Sequence, residues 1–205
     1  WLLFSRKSSK PSTQEINTLW IINTTDENAK PIDLKISNVI HFADWSPAAV
    51  YSVFYSTVEP RSAAPGWQAN NDLFSVTLTP GGAIGKKEEL ISANSGGIYG
   101  WWGTQYFWST NGKQLAYARP DSIGLVNLEK KSLVQLLSLL PFQTRSDWAW
   151  IPGISWSPDG RFIYGVNHVY KAGLVSEEAS PLFDLTAISI SNGSNTPLVQ
   201  QSGMF

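Results

Sequence analysis

Residues 155–160 read Ser-Trp-Ser-Pro-Asp-Gly, and residues 161–166 continue with Arg-Phe-Ile-Tyr-Gly-Val. A proline presets the φ angle of the first corner of a turn, and a glycine accepts the positive φ that such turns need. The aromatic and β-branched residues that follow favour a strand. The stretch therefore predicts a β-hairpin, in which a short strand ending in Trp-Ser is turned back by Pro-Asp-Gly.

The same pattern occurs at two earlier places in the chain. Residues 44–49 read Asp-Trp-Ser-Pro-Ala-Ala, and residues 107–112 read Phe-Trp-Ser-Thr-Asn-Gly. The tryptophans of the second and third copies are 48 residues apart, which fits a propeller blade of about 40–50 residues. The first interval, 63 residues, requires a loop insertion. Because the 44–49 copy lacks Asp-Gly, we expect a distorted turn there.

Two further strands are expected after each copy. Segments 72–78, 122–128 and 184–190 have the composition of a third strand, and each leads through a polar turn into a fourth. Four short antiparallel strands per repeat predict an all-β chain, a β-propeller of four-stranded antiparallel blades with about four blades visible. We expect blades at approximately residues 1–37, 38–92, 93–140 and 141–205, with the innermost strand of the first blade missing.

Trp-Ser-Pro-Asp-Gly-Arg followed by an apolar strand resembles the TolB-like, WD-type propeller repeat. The resemblance covers nearly the whole chain at the level of blades; it is strongest at 155–166, weaker at 107–118 and most degenerate at 44–55. The Trp-Asp dipeptides of ordinary WD repeats are absent. The family implies six or seven blades, so we expect this chain to be part of a longer one. It also implies a bacterial extracytoplasmic protein or lipoprotein, in the periplasm or at the cell surface.

The residues that recur from copy to copy are expected to build the scaffold, because every blade needs the same packing and the same turn. These residues are Trp45, Trp108, Trp156, Pro158, Asp159 and Gly160.

Function is expected in the irregular segments instead. The long segments, 6–16, 57–71, 92–103, 138–152 and 167–182, are predicted to lie on one face of the propeller, and loops on a rigid scaffold commonly carry function. Flat aromatic rings suit protein interfaces and sugar faces because they present a large area at little entropic cost. The alternative is that these rings pack the loops onto the blades. The candidate binding residues are Trp67, Tyr99, Trp101, Arg145, Asp147, Trp148, Trp150, His168 and Tyr170.

Composition and motifs exclude several classes of chemistry. There is no cysteine, and His41 and His168 are far apart, so neither thiol catalysis nor a metal site is predicted. No nucleophile elbow, zinc-protease or phosphate-loop motif is present, and we expect no catalytic residue and no cofactor. The formal net charge of −1 and the lack of a basic stretch argue against nucleic acid. No apolar run is long enough to span a bilayer.

The leading hypothesis is a non-catalytic scaffold whose partner is another protein. One alternative is the propeller domain of a larger enzyme, such as a prolyl-oligopeptidase-like peptidase, whose catalytic domain would lie elsewhere. The other is a carbohydrate-binding propeller with a glycan as partner, either a lectin or an oligogalacturonide lyase. The two isolated histidines argue against the lyase, which would be expected to use metal-binding clusters.

Overall fold

The computed structural model describes residues 1–12, 14–94, 100–141, 150–169 and 182–203, which form β-strands and turns with no helix among them. The prediction of an all-β chain is confirmed. The chain divides into two compact units, Trp1–Gly96 and Gly97–Phe205. Every strand pair within them is antiparallel.

The first unit contains two sheets and one small hairpin. Its strands are β1 (Leu2–Ser12), β2 (Glu15–Ile22), β3 (Ile32–Ser37), β4 (Ala43–Trp45), β5 (Ser52–Tyr55), β6 (Val58–Pro60), β7 (Trp67–Ala69), β8 (Leu73–Leu78) and β9 (Ile84–Ile91). Strands β1, β2 and β3 form a three-stranded sheet in that order, and a four-stranded sheet has the order β4-β5-β8-β9. The hairpin β6-β7 is inserted between β5 and β8. It occupies the part of the long first repeat interval for which the sequence required a loop insertion.

Alternating apolar residues pack the two sheets of the first unit against each other. Successive residues of a strand point to opposite faces, so Leu19 and Ile21 share one face of β2, and both are buried. The core that they enter contains Leu34, Ile36, Val39, Val53, Tyr55, Val76 and Leu78.

The second unit contains two four-stranded sheets whose strands follow chain order. They are β10 (Gln105–Trp108), β11 (Leu115–Arg119), β12 (Ser122–Asn127) and β13 (Ser132–Ser138), then β14 (Gly153–Trp156), β15 (Phe162–Val169), β16 (Leu182–Ser189) and β17 (Asn195–Ser202). A four-stranded antiparallel sheet in this order is the form of a propeller blade. Ala116 and Ile123 of the first sheet share a buried core with Trp156, Ile163 and Ile188 of the second.

The turn at 157–161 closes the β14-β15 hairpin with a local hydrogen-bond network. The hydroxyl of Ser157 donates to Asp159 Oδ1 at 2.7 Å and accepts from the backbone N–H of Phe162 at 2.9 Å. Asp159 Oδ1 also accepts from the N–H of Arg161 at 3.0 Å. The N–H of Gly160 donates to the Ser157 carbonyl at 2.9 Å, with Gly160 at φ +69°. An L side chain rarely adopts that φ, so the glycine is needed here.

The turn at 109–113 repeats this network atom for atom. The hydroxyl of Ser109 donates to Asn111 Oδ1 at 2.9 Å, and Asn111 Oδ1 accepts from the N–H of Lys113 at 3.0 Å. Gly112 also has φ +69°, and its N–H donates to the Ser109 carbonyl at 2.8 Å. An asparagine side chain therefore performs the turn-forming role that the aspartate has in the other copy.

The turn after Trp45 is one residue longer, and its network is different. The N–H of Ser46 donates to the carbonyl of Ser52 at 2.8 Å, and the Ser46 hydroxyl accepts from Ala49 at 3.1 Å. The positive φ of 59° falls on Tyr51, a non-glycine residue. The distortion expected from the missing Asp-Gly pair is present.

Trp156 connects the two sheets of the second unit. Its side chain is 8 % exposed, and its indole N–H donates to the backbone carbonyl of Phe107 at 3.0 Å. The hydroxyl of Thr110 donates to the carbonyl of Pro158 at 3.0 Å, so the two turns also meet. In the first unit, Trp45 packs against the buried core.

Candidate functional site

A cavity of about 290 Å³ lies in the second unit, at the end of the β14–β17 sheet away from the Pro-Asp-Gly turn. Strand β15 leaves that turn at Phe162 and reaches the cavity with Asn167, His168 and Val169. At a rise of about 3.3 Å per residue, the two ends of β15 are roughly 25 Å apart. The cavity is lined by Pro120, Leu139, Leu140, Trp150, Pro152, Asn167, His168, Val169 and Asp184.

The strand register places the polar groups of the cavity on one face of the sheet. Asn167 is paired with Asp184, and four positions along the ladder Ile163 is paired with Ile188. Residues four apart on a strand share a face, and Ile163 and Ile188 belong to the core shared with the preceding sheet. Asn167 and Asp184 therefore lie on the side of β10–β13, whose flanking residues Pro120, Leu139 and Leu140 form the opposite wall.

Three aromatic rings pack together at this end of the sheet, and two of them, His168 and Phe183, belong to its other face. His168 and Phe183 are opposite each other in the ladder, and their rings stack with centroids 4.8 Å apart. Trp150 contacts both, at 5.7 Å from His168 and 5.5 Å from Phe183. Trp150 belongs to no strand, and its ring packs against these two rings.

Leu140 is the unusual residue at the rim of the cavity, because 77 % of it is exposed. Its neighbour Leu139 packs against the core, and the Leu139 N–H donates to the Asp121 carbonyl at 2.8 Å. The backbone is therefore fixed while one large aliphatic side chain stands in solvent beside an apolar recess. A single exposed apolar side chain is ordinary on a protein surface, so the feature that distinguishes Leu140 is its position beside this apolar recess.

Asp184 provides the acidic group of the cavity. Its Oδ1 accepts the backbone N–H of Gln201 at 2.8 Å. Within the described ranges, no Lys, Arg or His forms a salt bridge with it. An ionised carboxylate can accept about four hydrogen bonds, so the bond from Gln201 uses only part of the capacity of Asp184.

The structure brings Trp150 and His168 together among the predicted binding residues. Trp101 and Trp102 form a separate stacked pair with centroids 6.4 Å apart, and 45 % of Trp102 is exposed. Tyr99, Arg145, Asp147, Trp148 and Tyr170 lie outside the described residues. Sequence reasoning missed Leu140 and Asp184. The apolar run Leu139-Leu140-Pro141, directly after a strand, was a sequence feature that could have indicated Leu140. No sequence feature indicated Asp184.

Trp67 lies in the other unit, on the inserted hairpin, with its ring 6.3 Å from that of His41 in an edge-on arrangement. The hairpin is held at its base by Asp72, which accepts the N–H of Thr57 at 2.7 Å and also the Thr57 hydroxyl. Burial raises the pKa of Asp72, and the two bonds from Thr57 oppose that rise. Asn70 Nδ2 donates to the Thr57 hydroxyl at 2.8 Å, so the hairpin leaves the sheet through a buried polar cluster.

A larger recess of about 540 Å³ lies on the three-stranded sheet of the first unit and is polar. Lys35 pairs with Asp33 at 2.8 Å, and Arg6 stands 4.6 Å over the ring of Trp20. Burial works to raise the pKa of Asp33, but the bonds from Lys35 leave it lower than usual. The charges of this recess are largely satisfied by each other, which distinguishes it from the cavity at Asp184.

Two further observations concern the described residues only. No three His, Asp or Glu side chains among them come together as a metal site would require. None of the segments that the structure describes is a helix long and apolar enough to cross a membrane.

No protein-family model matches the sequence, and no curated protein matches it. Among solved structures, oligogalacturonate lyase in complex with manganese aligns over 90 % of this chain and 42 % of its own, with a TM-score of 0.50 and 13 % identity. This chain has a β-propeller fold. The propeller is also similar to TolB from Acinetobacter baumannii, which aligns over 89 % of this chain and 41 % of its own, with a TM-score of 0.45 and 11 % identity. The propeller chain thus spans less than half the length of either, and at this identity the likeness concerns the fold alone.

Proposed function

We propose that this propeller is a non-catalytic binding module that recognises another protein through the cavity at Leu140. The observation that carries the proposal is the 77 % exposure of Leu140 at the mouth of a mainly apolar recess. Burying such a side chain against a partner releases free energy of about 1.5–3 kcal/mol. Leaving it in water offers the isolated chain no comparable gain.

The size of the cavity favours a protein partner. Sites for drug-sized ligands are commonly about 300–1,000 Å³, and this cavity is at the lower limit with about 290 Å³. A space of that size suits one inserted side chain, which is how interface hot spots are built. A glycan is less well matched, because most of the lining residues are apolar and offer few hydrogen bonds to hydroxyl groups.

The residues that line the cavity also favour binding over catalysis. None of the lining residues that the structure describes carries a hydroxyl, a thiol or an amine that could act as a nucleophile. Among these described residues His168 and Asp184 are titratable, and the register assigns their side chains to opposite faces of the sheet. General acid–base catalysis needs a partner group within hydrogen-bond reach, so this arrangement supports a binding role.

The resemblance of the repeat to TolB-like sequences also supports a location outside the cytoplasm. Fractionation of cells that express the natural gene product tests this part of the proposal. Recovery of the product in the cytoplasmic fraction would contradict it.

A displayed library of random short peptides tests the binding role, with selection on the native chain followed by binding to two variants. Leu140→Ser removes the exposed aliphatic group at the cavity. Val50→Ser is the matched control, because Val50 is 78 % exposed on a turn of the other unit. We expect the enriched peptides to bind Leu140→Ser at least about tenfold more weakly and Val50→Ser unchanged. Equal loss or no loss in the two variants would contradict the proposal.

A further inference from the structure

The chemistry of the cavity indicates what kind of side chain its occupant carries. Asp184 and Asn167 are a cross-strand pair at the cavity, and both side chains project to the side where Leu139 and Leu140 lie. The recess is therefore apolar along its walls and acidic at one place. An apolar side chain alone would leave the carboxylate with the Gln201 N–H as its one described donor, and a carboxylate oxygen without a donor is costly where water is excluded.

The existing bonds of Asp184 leave room for a cation. The Gln201 N–H is a single neutral donor, 2.8 Å from Oδ1. In the part of the chain that the structure describes, the salt bridges of the other carboxylates involve Lys35, Arg61, Lys86 and Arg161, and none reaches Asp184. A cationic donor would add Coulomb attraction to its hydrogen bond with the carboxylate, which the neutral Gln201 N–H does not provide.

The walls match the remainder of such a side chain. Lysine and arginine bury their methylene stems along apolar surfaces while the charged head reaches a polar group. Leu139, Leu140 and Val169 provide such a surface beside Asp184. A small cation without a methylene stem would interact only with the carboxylate, and a leucine-like side chain would pack only against the apolar walls.

We propose that the cavity receives a lysine or arginine side chain of the protein partner, with the stem against Leu139, Leu140 and Val169 and the charged head at Asp184. This inference rests on the proposed function, because it assumes that a partner binds at this cavity. It goes beyond that function by specifying that the residue inserted by the partner is positively charged.

Titration of the nitrogen-15-labelled chain with three model compounds tests the inference by NMR. The compounds are the N-acetyl amides of lysine, arginine and norleucine; norleucine has the lysine stem without the charge. We expect the lysine and arginine compounds to shift the amide signals of Asn167, His168 and Asp184, with an affinity about five- to tenfold above that of norleucine. Added salt should reduce this preference.

The variant Asp184→Asn separates the charge from the fold, because its amide oxygen can still accept the Gln201 N–H. We expect it to lower the affinity for the two cations to that for norleucine. Asp44→Asn is the matched control, since Asp44 is an exposed carboxylate that accepts one backbone N–H at 2.8 Å, from Trp45. It should leave all three affinities unchanged.

Failure of the inference and failure of the proposed function give different results. If norleucine binds as well as the cations and Asp184→Asn changes nothing, the inference is wrong. If in that case the library peptides still depend on Leu140, the cavity is an apolar docking site and the proposed function stands. If neither the compounds nor the peptides respond to substitution at the cavity, both are wrong.

Discussion

The two ends of the β14–β17 sheet differ in how their polar side chains are hydrogen-bonded and in whether an aliphatic side chain is exposed. At the turn end, residues 157–161, polar side chains bond to groups within five positions along the chain, and the turn at 109–113 repeats the pattern. The pocket end consists of residues 167–169 and 182–184 together with Leu140. There the Leu140 side chain is exposed, and the Asp184 carboxylate accepts one hydrogen bond from a neutral donor. The repeated turn sequence therefore builds the scaffold, whereas the pocket end presents the groups that we propose to bind a partner.

The largest expected effect is on the free energy of unfolding, which should depend strongly on the turn end and little on the pocket end. Trp156→Ala removes a buried indole and its hydrogen bond to the Phe107 carbonyl. We expect the free energy of unfolding to fall by about 3–5 kcal/mol, measured by urea denaturation. Leu140→Ser at the pocket end should change it by no more than about 0.5 kcal/mol, as for most surface substitutions. Similar losses of unfolding free energy in the two variants would contradict the view that the turn end supports the fold and the pocket end does not.

A smaller effect is expected from the backbone of the turn end. Gly160→Ala places a Cβ at φ +69°, where it would also meet Asn111 Nδ2 at 3.1 Å. The left-handed conformation costs a non-glycine residue roughly 1–2 kcal/mol, so the unfolding midpoint should fall accordingly. Gly153→Ala is the control, because nothing lies within 4 Å of its added Cβ and its φ is not positive. An equal shift in both variants would show that the turn does not require its glycine.

The smallest expected effect is a pH dependence of stability that arises from Asp159. The Ser157 hydroxyl and the N–H groups of Arg161 hold the pKa of Asp159 at about 2, below the usual 3.8. A carboxyl whose folded pKa is depressed stabilises the native state above its unfolded pKa, and this contribution is lost as the pH falls toward the folded value. In Asp159→Asn the turn should persist, since Asn111 forms the same bonds in the other copy.

The two proteins should therefore differ most in melting temperature above about pH 4, with the wild type higher. The difference should shrink as the pH is lowered to about 2. Melting curves at several pH values measure it. A difference that stays constant over this range would show that Asp159 does not contribute through its charge.

The turn end could be predicted from the sequence, and the pocket end only in part. Pro-Asp-Gly, the serine before it and the alternating strand after it act over fewer than ten residues, so their structure follows from local chemistry. A distorted turn after Ser46 was expected for the same reason, since its Ala48-Ala49 pair cannot supply the aspartate bonds or the glycine conformation. That the turn is one residue longer was not expected.

The cavity depends on residues that are distant in sequence. Leu140 follows strand β13 of one sheet, and Asp184 belongs to β16 of the other. They line the same cavity because the core around Trp156 packs those two sheets together. Trp150 and His168 were predicted as aromatic and polar loop residues. Their contact through Phe183 follows from the β15-β16 register, which no short motif encodes.

Hydrogen–deuterium exchange with a library-selected peptide distinguishes a pocket end that binds from a turn end that only supports the fold. We expect slower amide exchange at residues 138–141, 166–169 and 182–185 when the peptide is bound, with no change at residues 157–162. Slowing confined to residues 157–162, or no slowing at the pocket end at a saturating peptide concentration, would contradict it.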